Sequence, residues 1–259
     1  MEDIFNPSKI YLKSVSKSLA KEMIVKNHYT HKWSLCQVAY GVFYKSDEQH
    51  THFDSPNDKL IGVVVYGQPV GRSAAASLST DLSIDNVFEL VRLFIHDGYG
   101  RNIESYCISQ SFKLLNRDFP RVKAVISYAD GEQGHNGTIY QATGFLYQGN
   151  SSLALMPNYG ISLDGPPDYN WMHSRSVTSK WGSHNVDFLK TAIGRSFWRK
   201  KESAKHRYIK FIGTKAENRK YIKSLKHPTV PYPKSSNYVD EIEFVEVKNT
   251  IPEQVSFFE

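Results

Sequence analysis

An α/β fold built on a mixed sheet flanked by helices is predicted from three observations. Strand-like apolar runs at 37–44, 60–66, 88–95 and 122–130 are interleaved with helix-like stretches at 16–27, 103–116 and 138–143. Their order is helix, strand, strand, strand, helix, strand, helix, strand, which argues against an all-helical or all-strand class. The densest chemistry, residues 127–145, falls where a buried strand runs through three glycines into a helix, the place where open α/β sheets bind ligands.

In chain order, Ser16 or Ser18 can cap the first helix, and Leu19, Met23 and Lys26/Asn27 follow at three- and four-residue steps. It runs into Asn27-His28-Tyr29-Thr30-His31-Lys32-Trp33, where two histidines flank a tyrosine and a threonine. Such histidines can be metal ligands, acid–base groups or plain surface residues. Residues 46–59 read as a polar loop, and 67–80 as a small-residue linker able to line a substrate groove. In 88–95 a period of two puts Phe88, Leu90, Arg92 and Phe94 on one face. An arginine there is costly unless an anion meets it, either Asp130 on the next strand or the acid group of a ligand.

Asp97-Gly98-Tyr99-Gly100-Arg101-Asn102 is a turn, and Ser105 lies in the first turn of the helix that follows. The strand at 122–130 delivers Asp130 at its carboxyl end. Glycines 131, 134 and 137 then allow close backbone approach to a ligand, or simply tight turns. Short strands are expected at 146–148 and 159–163, a helix over 184–201, a basic strand over 205–211 and a basic helix over 215–225, stopped by Pro228, Pro231 and Pro233.

Charge is unevenly placed. The last 24 residues carry six acids against Lys248 alone, leaving 31 Lys/Arg against 20 Asp/Glu in the rest, a net +11. Residues 180–226 hold 14 Lys/Arg and three acids. A stripe of this density fits a polyanion, with a solvated basic face as the plain alternative. Arg175, Lys180, Arg195, Arg199, Lys200, Lys201, Lys205 and Arg207 are the phosphate-binding candidates. Two cysteines, Cys36 and Cys107, make no disulfide framework, and no apolar run approaches the ~20 residues of a membrane span. Glu2 and Asp3 stand where a signal peptide would be basic, so a soluble intracellular chain is expected. The expected organisation is an α/β core over 1–165, a basic, polyanion-binding extension packed on it over 166–235, and an acidic mobile tail over 236–259.

The element order resembles the Gcn5-related N-acetyltransferase fold. That family's pyrophosphate loop, Gln/Arg-x-x-Gly-x-Gly/Ala, has a counterpart here only in glycines 98 and 100, without the usual spacing. Several motifs together resemble the Mom family of bacteriophage DNA-modification proteins. They are Asn27-His28-Tyr29-Thr30-His31, Glu89-Leu90-Val91-Arg92-Leu93, Asn102-Ile103-Glu104-Ser105, Ser127-Tyr128-Ala129-Asp130 and Gln133-Gly134-His135-Asn136-Gly137-Thr138-Ile139-Tyr140-Gln141-Ala142. Further matches are His173-Ser174-Arg175-Ser176-Val177, Lys180-Trp181-Gly182, Lys205-His206-Arg207-Tyr208 and Pro231-Tyr232-Pro233-Lys234. Gly131 departs from the pattern, which has proline there, and the acidic tail lies outside it.

The resemblance implies an acetyltransferase-like fold whose core is catalytic, with a basic C-terminal extension that binds DNA, acting on double-stranded DNA in the cytoplasm of an infected or prophage-carrying bacterial host. The implied product is adenine with a carbamoylmethyl (acetamido) group on N6, which defeats host restriction. Matching active-site positions are His28, Tyr29, Arg92, Ser105, Asp130 and Tyr140. The resemblance also implies iron, with His28, Tyr29 and Asp130 as the expected ligands, and an acyl-CoA or other small-molecule donor, with Gly98, Gly100, Asn102 and Ser105 as its expected seat. No membrane partner is expected. Two other readings are open to the residues: an acyl-CoA-dependent N-acyltransferase on a small amine or protein, and a non-catalytic DNA-binding protein. Adenine N6 is a weak nucleophile, so a base must take its proton as the new bond forms, and Asp130 is the first candidate. Reaching N6 in a duplex predicts base flipping, with Trp33 or Trp171 supporting the displaced base, and the basic stripe predicts steep salt dependence.

Overall fold

A computed structural model describes residues 5–46, 57–69, 72–150, 158–202, 204–234 and 240–247. The expected loop at 46–59 and linker at 67–80 therefore lie partly outside the described residues. The chain divides into two compact units: Met1–Ala129 with His135–Ser151 and His206–Ser235, and Asp130–Gly134 with Ser152–Lys205 and Ser236–Glu259.

The first unit is the predicted α/β class. Its seven-stranded mixed sheet comprises β1 (Ile10–Val15), β2 (Val38–Tyr44), β3 (Lys59–Gly67), β4 (Val87–Ile95), β5 (Ala124–Ala129), β6 (Leu146–Asn150) and β9 (His206–Phe211). The order is β1-β2-β3-β4-β5-β9-β6. All neighbours are antiparallel except β4 and β5, which run parallel. The β1 strand was not expected: Ile10-Tyr11-Leu12-Lys13-Ser14-Val15 alternates weakly and buries only Ile10. The basic strand β9 lies inside this sheet, so the linear boundary at 165 cuts across the units. Pairing with both β5 and β6 requires it to bury Tyr208 and Ile209.

Helices cover both faces. The α1 helix (Lys17–Asn27) starts where the Ser16 hydroxyl accepts from the Leu19 amide at 3.2 Å. It buries Ala20 and Ile24, one turn apart, against Ala39, Val63, Val65 and Val91. Trp33, a candidate base support, packs against this same cluster. On that side lie also α2 (Arg72–Ala76) and α7 (Lys215–Lys223), the latter held by a Thr214/Glu217 capping box. The opposite face is covered by α3 (Ile103–Asp118) and α4 (Thr138–Ala142). There Cys107, Ile108, Phe112 and Leu115 meet Tyr66, Phe88 and Phe145. The Tyr66 hydroxyl, buried in this cluster, is paired to Ser111 Oγ at 2.6 Å, which removes the cost of an unsatisfied buried polar atom.

Two local departures matter for function. The β3–β4 register shifts between Val65 and Tyr66, opposite Val91. Phe88 and Leu90 consequently face the α3 side, whereas Phe94 packs on the α1 side, and the single face predicted for Phe88, Leu90, Arg92 and Phe94 is broken at Arg92. The parallel ladder is also short, with Val87, Phe88 and Glu89 facing Ala124, Val125 and Ile126. One residue further, the Leu90 carbonyl accepts from the Ser127 hydroxyl instead, at 3.1 Å.

The second unit has a three-stranded sheet ordered β10-β8-β7, made of β7 (Tyr159–Ser162), β8 (Phe197–Lys201) and β10 (Ile242–Val245), with α5 (Ser174–Trp181) and α6 (Val186–Ile193). Ile161, Val177, Leu189, Phe197 and Val245 form its core. The helix expected over 184–201 ends at Ile193 because Gly194 adopts φ 69, a left-handed cap. Arg199, Lys200 and Lys201 are therefore strand residues. The tail expected to be mobile contains β10, paired along β8, which supplies opposite charges for its acids. Among the described residues no helix is long and apolar enough to cross a membrane.

Gly67, at the end of β3, is a sharp test of the packing that carries residues 28–36. A Cβ there would collide with the Leu35 carbonyl. Gly67→Ala is expected to destabilise the fold by about 1–3 kcal/mol, read as a lowered midpoint in thermal unfolding.

Candidate functional site

The candidate site in the first unit assembles within β4, just past Glu89, where its ladder with β5 stops. The α1 helix delivers His28 as its C-cap, with the His28 amide on the Ile24 carbonyl at 2.9 Å. The His28 side chain is buried, at 8% exposure. Its Nδ1 accepts from the Thr30 amide at 3.2 Å and lies 2.9 Å from Thr30 Oγ1, so the ring proton sits on Nε2. Burial, followed by the Arg92 charge and the nearby His135 and His31, lowers its pKa to about 4. His28 is accordingly a neutral imidazole at neutral pH.

Tyr29 stacks on His28 with ring centroids 4.3 Å apart and meets His135 edge-on at 5.4 Å. It remains 54% exposed, so an aromatic face is open at this edge of the cluster. The loop bearing His135 is pinned by the Tyr208 hydroxyl, which donates to the Asn136 carbonyl. Arg92 donates through Nη1 to the Val91 carbonyl at 2.6 Å and through Nε to the Lys32 carbonyl at 3.3 Å. Desolvation lowers its pKa, while Tyr29, Glu89 and Tyr140 act in the other direction. The buried Tyr140 phenol is pushed up to about 12 by desolvation, against a hydrogen bond with Ser127. It is therefore a neutral hydrogen-bond donor at neutral pH, not a base. Burial pushes the Cys107 thiol up to about 12 and raises Cys36 as well, which leaves both poor thiolate nucleophiles.

Of the predicted residues, His28, Tyr29, Arg92 and Tyr140 thus share one electrostatic neighbourhood. Asp130 belongs to the second unit. Its Oδ1 accepts from the Glu132 amide at 3.1 Å and its Oδ2 lies 3.5 Å from Lys205 Nζ. Within the first unit, Glu89 is a carboxylate that acts on Arg92. Sequence reading passed over Glu89, Ser127 and His135 as site residues. Glu89 three residues before Arg92 was the available signal, but an unbroken strand would have set the two on opposite faces.

At the expected donor seat, Gly98 and Gly100 take φ 90 and 99, and Asn102 takes φ 69 as the cap of α3. Ser105 Oγ donates to the Asn102 carbonyl at 2.9 Å. Glu104 adds a negative charge to the first turn, which weakens the pull of the helix terminus on an anion. The expected iron ligands do not fit a metal. His28 stands in the field of the Arg92 cation, its Nδ1 is already engaged, and Asp130 is held with Lys205. Among the described residues no group of three His, Cys, Asp or Glu side chains could hold a metal ion.

The phosphate-binding candidates separate by environment. Arg175 and Arg195 are exposed. Lys180 lies over the Trp181 ring at 4.5 Å. Arg199, Lys200 and Lys201 face Glu243, Asp240 and Glu241, and Lys200 also contacts Glu132. Arg207 is only 8% exposed and donates to the Ala74 carbonyl at 3.0 Å, with its Nε buried and unpaired; it is not on a surface a duplex could reach. Trp171 stacks on Tyr169 at 4.8 Å, with Lys200 over its ring.

Residues 9–234 match the Mom protein family. The chain belongs to that family. It is 26% identical over 232 residues to "Methylcarbamoylase mom" of Escherichia phage Mu, covering 89% of this chain and 86% of that protein. Among solved structures, it is 8% identical to spermidine N-acetyltransferase from Vibrio cholerae in complex with CoA and spermine, covering 79% of this chain and 96% of that one, with TM-score 0.40. A Bacillus subtilis acetyltransferase in complex with CoA is 10% identical, covering 78% and 97%, with TM-score 0.36.

A pH experiment isolates the buried imidazole. With its pKa depressed from 6.5 to about 4 in the folded state, the unfolded chain takes up the proton first as pH falls. The stability contribution is complete above pH 6.5 and is lost as pH falls to about 4. His28→Gln is expected to flatten the stability profile in this window. Superimposable profiles in urea titrations would refute the depressed pKa.

Proposed function

We propose that this chain is a phage DNA-modifying transferase that adds a carbamoylmethyl group to N6 of adenine in double-stranded DNA and so blocks host restriction. The observation that carries the reading is the cluster of Arg92, neutral His28, Tyr29 and neutral Tyr140 at the end of the short β4–β5 ladder, in a chain of the Mom family. A desolvated cation and two neutral donors suit a reaction in which negative charge develops on a bound group. The open ring of Tyr29 suits stacking of an extruded purine.

In the proposed step the N6–carbon bond forms as the bond from that carbon to the donor's leaving group breaks. The leaving group keeps the electron pair, and the N6 proton passes to Asp130. Arg92 faces the charge on the departing group, and Tyr140 and the Nε2 proton of His28 donate to it. The donor is an activated small molecule whose leaving group sits on the methylene carbon, since transfer from the thioester of an acyl-CoA would leave a carbonyl on N6; the glycine turn at 98–102 and Ser105 are its proposed seat. Exposed cations such as Arg175 and Arg195 hold phosphates.

Restriction digestion tests this reading. Plasmid recovered from bacteria expressing the chain is expected to resist endonucleases whose sites contain adenine. Cleavage as complete as in controls, with soluble protein present, would overturn it.

A further inference from the structure

The match to the Mom family ends at residue 234, yet the chain beyond it completes the three-stranded sheet. Ile242–Val245 runs antiparallel to β8, pairing Ile242 with Lys200, Glu243 with Arg199 and Val245 with Phe197. This register sets acids against cations. Arg199 Nε donates to Glu243 at 2.7 Å, and Lys201 Nζ donates to both Glu241 oxygens at 3.0 and 3.1 Å. Lys200 Nζ, on the opposite face of β8, is shared between Glu132 and Asp240, the latter at 3.5 Å. Two cations on one face, Arg199 and Lys201, are thus met by two carboxylates of the tail, Glu243 and Glu241.

The strand is lightly anchored otherwise. Val245 enters the core, whereas Ile242 and Phe244 stay 38% and 49% exposed. Exposed ion pairs are weak and fade with salt. A strand rises by about 3.3 Å per residue, and a DNA strand carries one charge per ~3.4 Å of axis. Glu241 and Glu243, two residues apart on one face, therefore set their charges about 6.6 Å apart, close to the spacing of every second phosphate of a strand.

We infer that β10 is a built-in stand-in for a nucleic-acid backbone, occupying the cations of β8 until duplex DNA displaces it. The inference rests on the DNA reading given above. It makes the tail a competitor that sharpens selection: only a polyanion able to replace both Glu241 and Glu243 gains the strand.

The test compares the full-length wild type with Asp240→Asn/Glu241→Gln/Glu243→Gln, which keeps the apolar side chains of β10. Binding of a fluorescent duplex is measured by anisotropy across a salt series. The neutralised chain is expected to bind about ten-fold more tightly near 0.1 M salt, with log K falling more steeply against log salt by about 2, for two newly available phosphate contacts. Glu243→Gln alone should give roughly half of that change in slope, and serves if the triple variant folds poorly. Adding Arg199→Gln to the neutralised chain should reverse part of the gain. Equal affinity and slope in wild type and variants would overturn the inference. Adenine modification by the wild type is followed in parallel: modification with unchanged binding sinks the tail's role alone, and absence of both modification and binding sinks both readings.

Discussion

Asp130→Asn is expected to lower adenine modification by about 10²–10⁴-fold, the range for loss of a positioned general base, with little change in folding. The substitution is nearly isosteric, and the amide oxygen can still accept from the Glu132 amide, the bond that starts the short turn after β5. What it removes is the basic oxygen and the charge facing Lys205 at 3.5 Å. Single-turnover rates on a duplex, with thermal unfolding as control, decide the matter. A variant that folds normally and modifies DNA at the wild-type rate would remove Asp130 from the proposed step. Binding lost in proportion to rate would recast it as a DNA contact.

Arg92→Gln is expected to cost about 10²–10³-fold in the same rate, the range for removing one preorganised charge-stabilising donor. Glutamine can still donate to one of the carbonyls of Val91 and Lys32 that Arg92 now serves. It cannot supply the cation that His28 feels and that Tyr29, Glu89 and Tyr140 surround. The same substitution should therefore let the His28 pKa rise from about 4, moving the acid limb of the stability profile upward. Arg92→Lys separates charge from geometry: recovery of the pH profile without recovery of rate would assign the guanidinium a positioning part.

Much of this arrangement was legible from the chain, for identifiable reasons. The β2 to β5 strands are dense apolar runs, and Ser16 and Ser111 sit on helices whose buried residues recur at helical spacing. His28 and Tyr29 fall just past the end of α1, where a helix must hand over to a loop; Arg92 stands out as a cation inside an apolar strand, and Tyr140, inside α4, is marked only by the family motif. The misses share another cause. The bulge at Val91 depends on the partner strand β3 and leaves no local mark, so the period-two face of Phe88, Leu90, Arg92 and Phe94 runs straight across it in the sequence. Residues 194–201 continue a helix pattern on paper, and Gly194 alone breaks it. The β10 strand has four residues, three of them exposed, and its partner lies more than 40 residues upstream. Pairing at that separation is a tertiary fact. Arg207 looked like one more cation of a surface stripe, but β9 inserts between β5 and β6 and takes it inside.

The account's central claim is that the cluster around Arg92 modifies adenine in DNA. Mass spectrometry of nucleosides from DNA of cells expressing the chain tests it most directly. The account predicts a deoxyadenosine adduct of acetamido mass in the wild-type sample, greatly reduced with Arg92→Gln. Unmodified deoxyadenosine from cells holding abundant folded wild-type protein, or an adduct equally abundant with Arg92→Gln, would contradict it.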